Sequence, residues 1–444
     1  MRVDLQIDPT ATTNHEFREV RLHIPSVVEP YLLDLNASHL LAKSWVVPQR
    51  GMDLVFIAAV IYGIDKAVSR DTADDRWTRE LAVTIPVSDF ATWEPVGEHF
   101  SECLSFLTGD LWNIRFSQLD QPLIRPKPRK RRRRIPAMQG NAVSLFSGGL
   151  DSFIGAVDWL TQHGQEKLYL VGHYDRHVHG PASDQKALIP ILIRYFPGRF
   201  SAIHAQIGLY KKGPDTNFRS RSLLFVALAF YIAERLGPEI PVIIPENGPI
   251  ALNIPLTPTR RGSCSTRTAH PHFLFLLESI LKRVGFEHEI QTPYESKTKG
   301  EMVAECRSQQ ALIAGYSTTV SCAKSGHTVW WQKRTAHGCG RCIPCLFRRA
   351  ALHTVGLDDE DYGFDVCDQN ITADEIKEDL LALASFLRRS PNPRTIAREL
   401  VSDGPLQLGQ LHQSVDVITR MIQETKNFLS AKASARVKHL GGIP

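Results

Sequence analysis

Two short stretches of the 444-residue sequence carry residue types spaced for chemistry. The first is Ser147, Gly148, Gly149, Leu150, Asp151 and Ser152. Adjacent glycines let a backbone approach a bound anion, Ser147 and Ser152 add hydroxyl donors, and a helix starting here presents unpaired N–H groups and the positive end of its dipole. The stretch therefore reads as a phosphate site. It has neither the Gly-Lys-Ser/Thr ending of the P-loop nor the G-x-G-x-x-G of the dinucleotide fold. Asp151 would repel a phosphate unless it holds Mg²⁺ or caps the helix. The plain alternative is a tight strand-to-helix turn with Asp151 or Ser152 as its N-cap.

The second stretch is Cys339, Cys342 and Cys345, with Cys322 seventeen residues before the first of them. Three thiolates at C-x₂-C-x₂-C spacing converge on one ion, and a fourth from a separate loop completes a closed tetrahedral site of the structural kind. Zinc and an iron–sulfur cluster both use this spacing. Cys103, Cys264, Cys306 and Cys367 are isolated and read as small core hydrophobes.

These residues need elements to hold them. Residues 141–146 form a short apolar strand directly before the glycine loop, and 151–163 follow with helical apolar spacing. Strand-like 167–172, helical 185–195, strand-like 200–207, helical 219–236 and strand-like 241–244 continue the alternation, which predicts an α/β fold: a parallel sheet with helices on both faces. Such sheets bind ligands beyond the carboxyl ends of their strands. Residues 1–120 mix strand-like pieces (19–24, 79–87, 112–118) with helical ones (54–68, 99–107) and predict an N-terminal α+β accessory domain. Residues 121–139 read as a basic, Pro- and Arg-rich linker, 140–369 as the domain carrying both motifs, and 370–444 as a helical C-terminal region.

Composition agrees with a globular protein: 43% of residues are hydrophobic and 22% charged. The longest apolar runs, 54–64 and 223–233, are far short of the roughly 20 residues of a spanning helix, and the opening MRVDLQIDP has no apolar signal core, so the expectation is a cytoplasmic protein that does not engage a membrane. Eight cations fall within 125–134 and exceed the net charge of +5, which leaves the rest of the chain slightly acidic. That basic run reads as a solvated linker, a docking strip for an acidic partner, or a non-specific nucleic-acid contact, the last not favoured because no aromatics are interleaved with it.

The loop string resembles the SGG-x-DS motif of the PP-loop ATP pyrophosphatase superfamily. With Ser321-Cys322 and the run from Cys339 to Arg348 (C-G-R-C-I-P-C-L-F-R), the chain is similar to the QueC (7-cyano-7-deazaguanine synthase) family, whose pattern is S-C…C-G-x-C-x-x-C-x-x-R. Arg221 with the helix after it, and Lys299, Glu301 and Val303, resemble two further segments of that family. The similarity spans about 140–355. It departs where the family recognises its base: residues 263–271 here read S-C-S-T-R-T-A-H-P. The extra N- and C-terminal parts resemble the enlarged QueC-like proteins (QatC) of Qat anti-phage defence systems.

The resemblance implies an enzyme that uses ATP, Mg²⁺ and a structural Zn²⁺ to adenylate the carboxylate or amide of a 7-deazaguanine, releasing AMP and pyrophosphate. The acceptor is ammonia or an amine of a partner protein. By the same resemblance Ser147, Gly148, Gly149, Leu150, Asp151, Ser152 and His173 bind the nucleotide, and Asp151, Arg221 and Lys299 act on its phosphates. Arg260, Arg261 and Arg267, in a Pro/Gly/Ser-rich segment, are expected to hold the substrate carboxylate, and zinc falls to Cys322, Cys339, Cys342 and Cys345. The spacing of His173, His177 and His179 could suit a metal, while the resemblance implies that this region, after the second strand, frames the adenine. A tRNA-modifying enzyme and a non-catalytic nucleotide sensor are the other readings.

Overall fold

The computed structural model describes residues 1–12, 17–36, 49–124, 138–178, 180–215, 219–260 and 267–444. The basic run 125–134, Arg261, Cys264 and His179 lie outside these residues.

Among the described residues ten strands make one sheet: β1 Arg2–Thr12, β2 Arg18–His23, β3 Tyr31–Asn36, β4 Glu80–Val87, β5 Leu111–Gln118, β6 Ala142–Leu145, β7 Leu168–Tyr174, β8 Phe200–Leu209, β9 Val242–Ile243 and β10 Ile290–Gln291. Their order is β10-β9-β6-β7-β8-β3-β2-β1-β4-β5. The pairs among β6 to β10 are all parallel, as are β1 with β4 and β4 with β5, while β3 joins β8 antiparallel with Leu33 opposite Leu209. The chain is thus α/β with a large, mostly parallel central sheet.

Helices cover both faces. The relevant ones are α1 Gln49–Ala67, α2 Gly97–Thr108, α3 Leu150–Gln162, α4 Pro181–Tyr195, α5 Arg221–Leu236, α6 Pro271–Arg283, α7 Lys299–Ala304, α8 Ile343–Thr354 and α9 Leu408–Lys432. Central strand β7 is buried from Leu168 through His173, as a strand covered on both sides requires. Its Tyr169 and Val171 enter a core shared with α1, α5 and α6, whereas Leu168 and Leu170 enter one shared with α3, α4 and α8. A third core gathers the C-terminal helices around Leu346, Phe347 and 252–256.

Residues 1–120 share this sheet and core, where the sequence suggests a separate domain behind a linker. The β3–β8 pairing carries the sheet across, and α1, buried along nearly its whole length, packs against α5. Asp65, itself paired with Arg79 (2.6 Å), which also meets Asp110 (2.7 Å), reaches across the junction to accept from the N–H and hydroxyl of Ser220 just before α5. Among the described residues no helix is long and apolar enough to cross a membrane.

Candidate functional site

The glycine loop leaves β6 and enters α3. Gly148 sits at φ +87°, and a Cβ there would lie 3.1 Å from the Gln185 backbone nitrogen, so glycine is required by both conformation and space. Segment 320–321 braces the loop from the other side: the Val320 N–H donates to the Gly148 carbonyl (3.0 Å) and the Leu150 N–H to Oγ of Ser321 (3.3 Å). Ser147 Oγ accepts from the Gly149 N–H at 3.3 Å. The N-cap is Gly149, without a side-chain cap. Asp151 therefore does not perform the capping that a plain turn would ask of it.

Its carboxylate reaches sideways instead. One oxygen pairs with Nζ of Lys299, the first residue of α7, and the other accepts from Nδ2 of Asn247 at 2.6 Å. Asp151 is 6% exposed and Lys299 5%, so the pair is screened little by solvent.

The position of this pair in the sheet is informative. From β6 the chain moves outward through β7 and β8, then returns to the other side of β6 as β9 and β10. The loops after β6 and β9 consequently diverge, and a crevice opens at this reversal of strand order, the usual ligand position in open α/β sheets. A cleft of about 320 Å³ lies there, its walls including Ser147, Asp151, Arg221, Glu246, Lys299 and Ser321. That volume falls within the roughly 300–1,000 Å³ of small-molecule pockets.

Two cations and two carboxyls set the electrostatics. Burial and the neighbouring Asp151 push the Glu246 carboxyl up to about 8. Arg221 is oriented from beneath by His173: Nε donates to Nδ1 of His173 (3.2 Å) and Nη2 to its carbonyl (2.9 Å). The other ring nitrogen of His173 donates to the Ile207 carbonyl at 2.8 Å, and burial together with Arg221 pushes its pKa down to about 3, which keeps the ring neutral. His173 is fully buried against Tyr62 of α1. The sequence expectation that it contacts the nucleotide is thus replaced by a supporting role under Arg221. His177 is likewise turned inward, to the Leu209 and Tyr210 carbonyls.

Arg260 and Arg267 are not brought to the loop. Arg260 pairs with Asp379 (2.5 Å), and Arg267 donates to the carbonyls of Phe106 and Asp403 (2.7 Å each), stacking its guanidinium over the Phe106 ring. Acids and carbonyls from α2 and the C-terminal region engage both, with Nε of Arg267 left without a partner among the described residues, so the structure places these arginines as struts between segments where the sequence suggested substrate ligands. Thr268 and Ala269 of the same stretch do line the cleft.

Sequence reasoning missed Glu246, Asn247, Ser222 and Glu424. Ser222 lines the cleft, is 7% exposed, and its hydroxyl has no partner among the described residues. Glu424 comes from α9 and accepts from Thr298 Oγ1 (2.6 Å) and the Gly300 N–H (3.1 Å). A Cβ on residue 300 would lie 2.5 Å from the Glu424 carboxylate and would push that side chain aside. The C-terminal helices thereby buttress the start of α7, where Lys299 sits.

The four cysteines converge as their spacing predicts. All four sulfurs lie within 4.8 Å of one another, with Cys339–Cys345 and Cys322–Cys342 each at 3.9 Å. Zn–S bonds of about 2.3 Å place tetrahedral ligands about 3.8 Å apart, so the set suits a single ion such as zinc; a multi-iron cluster holds its thiolates further apart. The N–H groups of Lys324 and Cys339 donate to Cys322 Sγ and that of Cys342 to Cys339 Sγ, each at 3.3 Å, a pattern that favours thiolates. With four thiolates no coordination position is left for a substrate.

No family model, curated protein or solved structure matches the chain. Its chemistry is therefore argued from the residues. The metal centre and the cleft are mechanically joined: Ser321, which accepts from the first N–H of α3, immediately precedes the ligand Cys322, and Arg348 of α8 ties Thr319 (2.6 Å), the Tyr316 carbonyl (2.7 Å) and Glu360 (2.6 Å) into the same segment.

Proposed function

We propose that the chain is a QueC-like PP-loop enzyme that splits ATP into AMP and pyrophosphate while activating the carboxylate, or the derived amide, of a 7-deazaguanine. Its setting is anti-phage defence, with a partner protein as a further participant. One observation carries this reading: a Ser-Gly-Gly loop, a buried Asp–Lys pair and an arginine meet in one cleft at the switch point of a parallel sheet.

In this reading the N–H groups of the 147–152 loop and the hydroxyls of Ser147 and Ser222 receive the phosphates. Lys299 and Arg221 offset the negative charge that grows on the departing pyrophosphate, fixed in place beforehand by Asp151 and His173. Asp151 is the residue that would hold Mg²⁺. Its carboxylate has lone pairs beyond those given to Lys299 and Asn247, and the raised proton affinity of Glu246 beside it marks a spot where further positive charge is welcome. Mg²⁺ there would neutralise phosphate charge. The altered base-recognition stretch, which contributes Thr268 and Ala269 to the cleft wall, is where the ring would be distinguished.

The test is product analysis with ATP, Mg²⁺, 7-carboxy-7-deazaguanine and ammonium. Formation of AMP, and its loss in Asp151→Ala, is expected. Formation of ADP, or AMP production undiminished in that variant, overturns the reading.

A further inference from the structure

Lys299 has little local support. It opens α7, a helix of six residues, too short to hold its place without tertiary contacts. Its ammonium ends a flexible four-carbon stem that has to meet Asp151. A capping box serves part of the helix start: Thr298 Oγ1 accepts from the Glu301 N–H (3.1 Å), and Glu301 accepts from the Thr298 N–H (2.8 Å). The Gly300 N–H, one of the first-turn donors that a helix cannot satisfy internally, goes to Glu424. A carboxylate at this end also complements the helix dipole.

Helix α9 grips the segment on both sides of Lys299. Glu424 takes the Thr298 hydroxyl and the Gly300 N–H. One turn earlier, Arg420 donates Nε to Glu301 (2.5 Å) and Nη2 to the Ser296 carbonyl (2.7 Å). Arg420 is 45% exposed, so solvent screens its ion pair, and the inner contact of Glu424 is the stronger hold. The same helix backs the other partner of Asp151. Asn247 caps the short helix Gly248–Leu252, which packs on α9, and a Cβ on Gly248 would lie 3.2 Å from Val417. The Gly248 N–H in turn donates to the carbonyls of Tyr294 (3.1 Å) and Lys297 (3.0 Å), which joins the two segments.

We propose that Glu424 is a positioning residue for Lys299, through which α9 sets how the ammonium meets Asp151 and the phosphates. The proposal rests on the reading of the cleft above and gives the C-terminal region a part in its phosphate chemistry. Lys299 acts on charge that grows as pyrophosphate departs, so displacing it lowers kcat and leaves KM for ATP nearly unchanged. A shift of about 1 Å in such a group costs up to about a hundred-fold in rate.

Three variants test this. Glu424→Leu removes the hold, Glu424→Gln keeps an acceptor oxygen, and Gly300→Ala pushes the carboxylate aside while leaving every charge and donor in place. Glu424→Leu and Gly300→Ala should lower kcat for AMP formation by about ten-fold or more, with KM for ATP changing less than about three-fold, and Glu424→Gln should keep about half of the activity or more. If Glu424→Leu does not fold, Gly300→Ala carries the test. A second readout needs no turnover: acetylation by acetic anhydride, followed residue by residue by mass spectrometry. Lys299, 5% exposed, should acetylate about five-fold faster or more in Gly300→Ala than in the unchanged chain. Lys66, 6% exposed on α1, reports any general opening of the fold and should stay constant. Acetylation of Lys299 that is unchanged, or that rises only in step with Lys66, overturns the proposal, as does a loss of activity carried by KM alone. Protection of Lys299 that depends on residues 300 and 424 in a chain that makes no AMP supports the positioning and defeats the reading of the cleft instead.

Discussion

The N–H of Leu150, first residue of α3, donates to the hydroxyl of Ser321 across 171 positions of sequence. Ser321 is chained to Cys322, so the cysteine cluster, which can hold a metal ion, braces one wall of the glycine loop. Loss of the metal should therefore be felt in the cleft. Cys339→Ser or Cys342→Ser is expected to lower metal content below one equivalent, reduce soluble yield and diminish AMP formation together. Elemental analysis alongside the activity assay checks this; full activity in metal-free, folded protein contradicts it.

The Asp151–Lys299 pair is buried, and removing one partner leaves the other charge unpaired. Lys299→Met should cost about 3–5 kcal/mol of stability and at least a hundred-fold in AMP formation. Asp151→Asn, which keeps the shape but leaves the buried Lys299 ammonium unpaired, should lose both activity and a comparable amount of stability. Denaturant melts and turnover rates check this; unchanged stability in either variant contradicts the pairing argument.

Glu424 gives a pH dependence with a definite sign. Burial pushes its pKa up to about 7 from the ordinary 4.5, so the folded chain binds the proton more tightly than the unfolded chain does. Its contribution favours folding at low pH and is lost as pH rises from about 4.5 through 7, by a total of order 3 kcal/mol. Glu424→Gln should flatten this part of the stability–pH curve. Chemical denaturation at pH 5 and pH 8 measures it, and an unchanged slope in the variant contradicts the assignment.

Residues 1–120 support the site from behind, since Asp65 fixes Ser220 at the foot of α5 and Tyr62 packs on His173 beneath Arg221. Asp65→Ala should destabilise the chain by about 1–3 kcal/mol, by removing one of the two acids that meet Arg79 and the acceptor of the Ser220 N–H and hydroxyl. Deletion of 1–120 should give insoluble protein, because it uncovers the β8 edge and the apolar face of α5. A soluble, cooperatively melting 138–444 fragment contradicts this.

Local sequence made part of this legible. The glycine loop, the cysteines and the alternation of strands with helices are contiguous signals that point to Asp151 and the four cysteines, whereas Lys299 is reached only through the family resemblance. Glu246, Asn247 and Glu424 carried no such signal: β9 before Glu246 is two residues long, and Glu424 meets Gly300 only because α9 docks there. β3 was unreadable because Asp34 interrupts its apolar run, its charge taken up by Arg176 at 2.7 Å and Gln206 at 2.6 Å. Arg260 and Arg267 misled for the converse reason, since their acidic and carbonyl partners lie more than a hundred positions away.

The central claim is that this cleft transfers the adenylyl part of ATP to an acid. The most direct measurement is exchange of labelled pyrophosphate into ATP, with and without 7-carboxy-7-deazaguanine, in the absence of any amine. Exchange that requires the carboxylate and vanishes in Asp151→Ala is the predicted result. No exchange under any condition in well-folded, metal-loaded protein contradicts the account.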